Sequence, residues 1–253
     1  MKLENRAKLL LLFSHVVAIT AILHSEWSWL LLSLFGWIIF IKVGGEIGLH
    51  RYLAHQSFIT GRWRRRLLVT LGIFTGFASP IAWVGVHRKH HAKSDTEEDP
   101  HGCQSAWRVW STFWKPFKIE RKYYGKHILN LLREDKWILN IHHHYFKIYF
   151  ITYLLIALID WRIAAFLISV PSVYAFHCAG VGNVLCHRYG YRVYDTNDLS
   201  TNNTLMNILT MGCGLHNSHH AKPDAYDHRT YKWEIDIHAW IIKNFFKIKH
   251  GTN

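Results

Sequence analysis

Apolar residues along this chain fall in long blocks separated by short polar breaks. The first runs over residues 9–23, behind Lys2, Arg6 and Lys8. Charge ahead of a short apolar stretch fits a secretion signal, but no small-x-small cleavage pattern follows it. A second block, residues 27–47, begins after only His24-Ser25-Glu26 and is near the ~20 residues a bilayer requires. A third, residues 145–161, ends on Asp160-Trp161-Arg162 and sits at the lower edge of spanning length; a fourth covers residues 163–186. The pattern predicts an all-α membrane protein of one domain, 1–253. Its four transmembrane helices form two hairpins with both termini on one side, and segments 48–144 and 187–253 form a helical cap.

One further apolar stretch, Leu67 to Val86, has spanning length but does not read as a span. Gly72, Gly76 and Pro80 interrupt it, Arg62, Arg64, Arg65 and Arg66 precede it, and Arg88, Lys89 and Lys93 follow. Positive charge at both ends opposes a crossing under the positive-inside rule. The segment is expected to be re-entrant, interfacial or packed on the bundle.

Charge then orients the whole. Of 30 Lys and Arg, all but Lys42 and Arg162 fall on one face of this topology, which the positive-inside rule assigns to the cytoplasm. The net charge of +13 therefore reflects orientation and contact with anionic headgroups, and nucleic-acid binding is not needed to explain it. A hydrophobic share of 50% excludes a disordered chain. Cys103, Cys178, Cys186 and Cys213 form no C-x-x-C pair, which argues against a disulfide scaffold or a thiolate zinc ribbon.

Histidine is the unusual component: 20 residues, against 17 carboxylates. Four clusters stand out. His50 and His55 (HRYLAH) follow the second block; His87, His90 and His91 (HRKHH) follow the stretch holding Pro80. Asn183 and His187 (NVLCH) close the fourth block, and His216, His219 and His220 (HNSHH) lie in the tail. On a helix, positions i, i+3 and i+4 share a face, so each H-x-x-H-H is expected to aim three imidazoles at one point. His50 and His55 are i, i+5, about 140° apart on an ideal α-helix; they converge only where the helix bends or ends. The predicted topology places all four clusters on the cytoplasmic face.

Imidazole suits zinc, copper, iron or nickel. Nine histidines exceed one tetrahedral zinc, so two metals are implied, and spacing alone leaves their identity open. Neutral ligands leave the metal charge uncompensated, which suits redox chemistry with dioxygen and points to a dinuclear iron site.

From about Gly45 to Trp240 the chain resembles the membrane fatty acid desaturases, specifically the Δ9 acyl desaturases. The resemblance rests on GLHRYLAHQSF, PIAWVGVHRKHHAKSDTEEDPHG, NVLCHRYGYR, GLHNSHHAKPDAYD and KWEIDIHAW, in that order. It implies a di-iron centre held by His50, His55, His87, His90, His91, His187, His216, His219 and His220, with Asn183 holding a metal-bound water. It also implies O2 and two external electrons as co-reactants, and a cis double bond inserted near carbon nine of a saturated acyl chain lying in a bent tunnel. The substrate would be an acyl lipid or acyl-CoA. No appended cytochrome b5-like segment is seen, so electrons are expected from a separate ferredoxin or cytochrome b5.

Two departures bear on this. Members often carry Glu two residues before the first histidine of the third box, and here Cys213 stands near that place in Gly212-Cys213-Gly214-Leu215. Gly85 and Val86 stand where animal acyl-CoA enzymes tend to carry a charged pair that helps bind CoA. Arg62–Arg66, Arg108 and Lys115 remain available to phosphates. Asp95, Glu97, Glu98, Asp99, Asp224 and Asp227 are candidates to accept hydrogen bonds from ligand imidazoles. His15, His24 and His177 are expected in packing, His142-His143-His144 at the interface and His101 in a turn. Trp27, Trp29, Trp107, Trp110 and Trp114 fit an interfacial belt. The rival readings are a hydroxylase or ketolase on the same scaffold, and a metal transporter or sensor; clusters at span ends disfavour transport.

Overall fold

The computed structural model describes residues 3–101 and 120–247. Cys103, Trp107, Arg108, Trp110, Trp114 and Lys115 lie outside them. Among the described residues every regular element is helical, and extended pairing is limited to two isolated bridges, Tyr191 with Asn202 and Asn202 with Leu215.

Helix α1 is Leu3–Leu23 and α2 is the continuous Trp27–Ala54. The bent pair α3 (Arg62–Thr75) and α4 (Pro80–Lys93) follows, then α5 (Gly125–Glu134), α6 (Lys136–Ala157) and α7 (Trp161–Cys186). Three short helices complete the chain: α8 (Thr204–Thr210), α9 (His216–Ala221) and α10 (Ile237–Ile241, continued to Phe246).

Three of these helices are long and apolar enough to cross a membrane: α1 from Arg6, α2 and α7. The expected span at 145–161 corresponds to the second half of α6, which ends at Ala157 and does not reach that standard. Its first half carries Lys136, Asn140 and His142-His143-His144, so the apolar run is short. The Leu67–Val86 stretch is folded into α3 and α4, whose axes meet at 80°, and only counting that bent pair as one span gives a fourth candidate. The break is written in the sequence: Gly76 takes φ +76°, and Pro80 begins α4 directly after Ser79.

Close packing of α2 depends on glycine. A Cβ on Gly44 would stand 2.5 Å from the Leu71 carbonyl carbon, and one on Gly48 would stand 2.6 Å from the Leu68 oxygen. This G-x-x-x-G face lets α3 lie directly against α2. The core between them contains Leu49, Leu53, Val69 and Ile73, and Tyr145, Tyr149 and Tyr153 of α6 close it from the other side. Arg65 and Arg66 both bind buried Asp135, which also caps α6 by accepting from Trp137 N. The two cations that broke the charge asymmetry are accounted for. Arg162 pairs with Asp160 at 2.6 Å, and Lys42 is buried against the Trp37 ring and Cys213 Sγ.

The second half of α2, Trp37–Ala54, is wound as a π-helix, with five-residue hydrogen bonds. Its last bond runs from His55 N to His50 O, 3.2 Å. That winding decides the geometry of the first histidine pair.

Candidate metal centre

The π-turn at the end of α2 brings residue i+5 back over residue i, so the His50 and His55 rings lie 5.0 Å apart. The helix ends here, as the i, i+5 spacing required, with His55 as its C-cap, and the wider winding of its last turn closes the remaining angle. These two join His87 and His91 of α4 and His219 of α9 in one group, whose ligand atoms all lie within 4.8 Å of one another. A second group meets the same limit: His90 of α4, His187 just past the end of α7, and His216 and His220 of α9.

Each H-x-x-H-H therefore divides its histidines between two points, which corrects the expectation of one. The i and i+4 members stay together, His87 with His91 and His216 with His220. The i+3 member, about 100° from i+4, crosses to the other group. The two groups adjoin, with the His91 and His220 rings stacked at 4.3 Å. Asn183 lies one turn before His187 on α7 and lines the adjacent cavity.

Four carboxylates fix the rings. His50 Nδ1 donates to Glu46 at 3.0 Å, His90 Nδ1 to Asp99 at 2.9 Å, His187 Nδ1 to Asp95 at 2.9 Å and His220 Nδ1 to Asp198 at 2.6 Å. With the proton held on Nδ1, the Nε2 lone pair points inward. Of the carboxylates picked out from sequence, Asp95 and Asp99 take this role. They are also tied together, because Asp95 N donates to Asp99 Oδ2 with Asp95 at φ +63°. Glu98 pairs with Lys93 and Asp227 with Arg229. Glu46 and Asp198 were missed. Glu46 was legible as the residue one helical turn before His50; Asp198 is brought in by a loop and carried no local signal.

Electrostatics follows from burial. Burial works to raise the Asp198 carboxyl, yet the hydrogen bond and charge of His220, with donors from Ser200 and Thr196, hold it well below the usual range. Asp99 is held down in the same way against its burial by His90 and His101. Burial first, and neighbouring imidazoles second, depress His216 and His219 far below the ordinary imidazole value, so these rings are neutral lone-pair donors.

The Nε2 nitrogens of the two groups converge at close range. His50 Nε2 lies 3.0 Å from His219 Nε2, His91 Nε2 2.9 Å from His219 Nε2, and His216 Nε2 3.0 Å from His187 Nε2. His90 Nε2 and His220 Nε2 are buried with no hydrogen-bond partner. A metal–imidazole bond of about 2.1 Å with neighbouring ligands at right angles separates two nitrogens by about 3.0 Å. Converging lone pairs at that spacing, with orphaned buried nitrogens among them, fit a pair of cations.

Other histidines take different places. His15 Nε2 meets His177 Nε2 at 3.1 Å between α1 and α7, a packing contact as expected. His142, His143 and His144 lie on α6 outside both groups. His101 donates its backbone N to Asp99, and its ring lies 4.6 Å from that of His90, closer to the centre than a turn residue requires. His228, not singled out from sequence, is buried with Nε2 3.4 Å from His219 Nδ1.

Against the centre lies a cavity of about 530 Å³ walled by α2, α4, α7 and α8, a size typical of small-molecule sites. His50, His87, His216 and His219 open onto it among Trp37, Ile41, Phe77, Trp83, Tyr174 and Met206. Cys213, at the departure noted above, also lines it; burial first, then Glu46, pushes its thiol up to about 12.

Fold and site define a helical protein with helices of membrane-spanning length and two adjoining histidine groups able to hold metal at the wall of an apolar cavity. The sequence pattern of the fatty acid desaturases matches residues 26–234, and the chain belongs to that family of oxidoreductases. It is 31% identical to the sn-1 stearoyl-lipid 9-desaturase of Anabaena variabilis, over 92% of this chain and 87% of that one. It is 30% identical to the acyl-CoA 5-desaturase AL21 of Anemone leveillei (90% and 72%) and to the sn-2 palmitoyl-lipid 9-desaturase of Nostoc sp. strain 36 (90% and 82%).

Proposed function

We propose that this desaturase is a single-domain, four-span integral membrane enzyme with two iron ions on its cytoplasmic face. It uses O2 and two electrons from a separate ferredoxin or cytochrome b5 to insert a cis double bond near carbon nine of a saturated acyl chain. The observation that carries the reading is the division of nine imidazoles into two adjoining groups beside an apolar cavity. The names of the Anabaena and Nostoc relatives support the Δ9 position. The basic charge gathered outside the apolar helices supports the cytoplasmic orientation and the helical cap.

His50, His55, His87, His91 and His219 hold one ion. His90, His187, His216 and His220 hold the other, with Asn183 placed to hold a water upon it. A saturated methylene offers no acid, base or leaving group, and the bound iron pair supplies the oxidant drawn from O2. The chain's own work is positioning and exclusion. Glu46, Asp95, Asp99 and Asp198 keep the Nδ1 protons and aim the Nε2 atoms. Trp83, stacked at 4.9 Å on His87, holds that ring in place and gives the cavity an apolar wall beside it for a hydrocarbon. A chain threaded past His50, His87, His216 and His219 presents adjacent methylenes to both groups together, so geometry sets the position of reaction.

Expression in a host lacking its own desaturase, with a supplied electron donor and mass spectrometry of the lipids, tests this. New monounsaturated chains, lost with His87→Ala, are the expected result. Hydroxylated chains without unsaturation would move the assignment to a hydroxylase, and purified protein with far less than two irons would overturn the ligand set.

A further inference from the structure

Helix α8 has two faces that belong to different surroundings. Met206 and Thr210 point inward and line the cavity. Leu205, Ile208 and Leu209 on the opposite face are 61%, 63% and 45% exposed, and no described residue covers them. A single helix is therefore the whole thickness of wall between the cavity and the outside. Ile235 extends the same bare surface, since its carbonyl accepts from Asn207 Nδ2 of α8 at 2.9 Å.

The position of α8 says what covers that face. It packs on α7, a helix of spanning length, where a Cβ on Gly182 would stand 3.1 Å from Met206 Cε. The wall thus continues the end of a spanning helix. The sequence between Asp198 and His216 holds no charged residue, whereas exposed Arg188 lies just beyond the end of α7, as a side chain reaching for headgroups does. An uncharged, outwardly apolar helix at that level fits the lipid leaflet and leaves nothing for a soluble partner to recognise electrostatically.

We propose that α8 lies in the leaflet as a one-helix portal, and that the substrate is a membrane-resident acyl lipid whose chain enters the cavity past Met206. The turns at its ends suit such a part. Asn203 caps its start by accepting from Met206 N, and Met211 (φ +58°) and Gly212 (φ +130°) form a sharp reversal at its end. The substrate class assigned here rests on the desaturase reading; the location of α8 does not.

Two measurements on the iron-loaded protein in phosphatidylcholine vesicles test the proposal. A fluorophore on Ile208→Cys, corrected for labelling of the parent chain, is expected to be quenched by nitroxide-bearing lipids and shielded from iodide; preferential quenching by iodide overturns the proposal. The double variant Leu205→Asp/Ile208→Asp is expected to raise the KM for a diacyl lipid by about tenfold. Its kcat, and its rate with a short-chain acyl substrate dispersed in detergent, should stay within about twofold of the parent. An unchanged lipid KM, or equal losses on both substrates, refutes a portal even if the fluorophore lies in lipid. Should neither substrate be desaturated by the parent, the functional reading fails while the quenching result still reports where α8 sits.

Discussion

The contact between Asp198 and His220 is the sharpest point at which the centre can be perturbed without touching a ligand. Asp198 accepts from His220 Nδ1 at 2.6 Å and from Ser200 and Thr196. Asp198→Asn keeps the size and one acceptor oxygen, so the loop contacts survive, while the negative charge facing the imidazole is lost. Removing such an orienting carboxylate costs roughly 10–100-fold in metal affinity, or about 1.4–2.8 kcal/mol. The loss falls on the group of His90, His187, His216 and His220 alone, because the other group is oriented by Glu46. In a chelator titration of the iron-loaded protein, one of two ions should therefore leave at a correspondingly lower chelator concentration, while the other follows the parent curve. Identical curves for variant and parent would refute the idea that these carboxylates set the ligand tautomers. Simultaneous loss of both ions without unfolding would refute the division into two groups.

Other consequences are as direct. Asp236→Ala strands the buried Arg51, which it pairs at 2.9 Å; a loss of about 3–5 kcal/mol is expected in chemical denaturation of the detergent-solubilised protein. Gly48→Ala drives a methyl into the Leu68 carbonyl; it should cost about 1–3 kcal/mol and lower iron occupancy, whereas Gly61→Ala, with open space around it, should do neither. In the metal-free protein His216 and His219 are held neutral, and unfolding lets them bind protons near pH 6.5. Their contribution is complete above that pH and is lost below it, by about 1.4 kcal/mol per pH unit for each such histidine. The Tm of metal-free protein should thus fall steadily on acidification below about pH 6.5; a flat profile would contradict neutral burial.

Much of the site was legible because histidine is rare enough for its spacing to carry information. The i, i+4 relations of His87 with His91 and of His216 with His220 hold in the structure as the helical repeat requires. The division of each box was less visible, because a repeat that places i+3 and i+4 on one face also separates them by a right angle. Asp198 and His228 could not be found from spacing, since they reach the centre through loop paths that only the tertiary fold sets. The fold was read well where apolar runs are long, as in α1, α2 and α7. At α6 the apolar run is shorter: Tyr145, Tyr149 and Tyr153 turn to the core against α3 and α4, while Ile151, Leu154 and Leu155 stay exposed on the other side. The Leu67–Val86 stretch breaks where glycine and proline punctuate it, so it is not one straight helix; the 80° angle between its two halves is a product of packing.

The winding at the end of α2 bears on how ligand spacing is encoded in a chain. Two nitrogens can be stacked on one side of a helix by placing them four residues apart in an α-helix or five apart in a π-helix. Spacing and winding are thus exchangeable, and one residue more or less can be absorbed by a change of hydrogen-bond register. Removing Leu53 from His50–His55 would leave a four-residue interval that ordinary α-winding places on the same face. Keeping all five residues binds the ligand pair to the wider register. Rewinding that last turn as an α-helix would swing His55 about 100° further round the axis, away from His87 and His219. The register of one helical turn thereby becomes a switch between a complete and an incomplete five-histidine group.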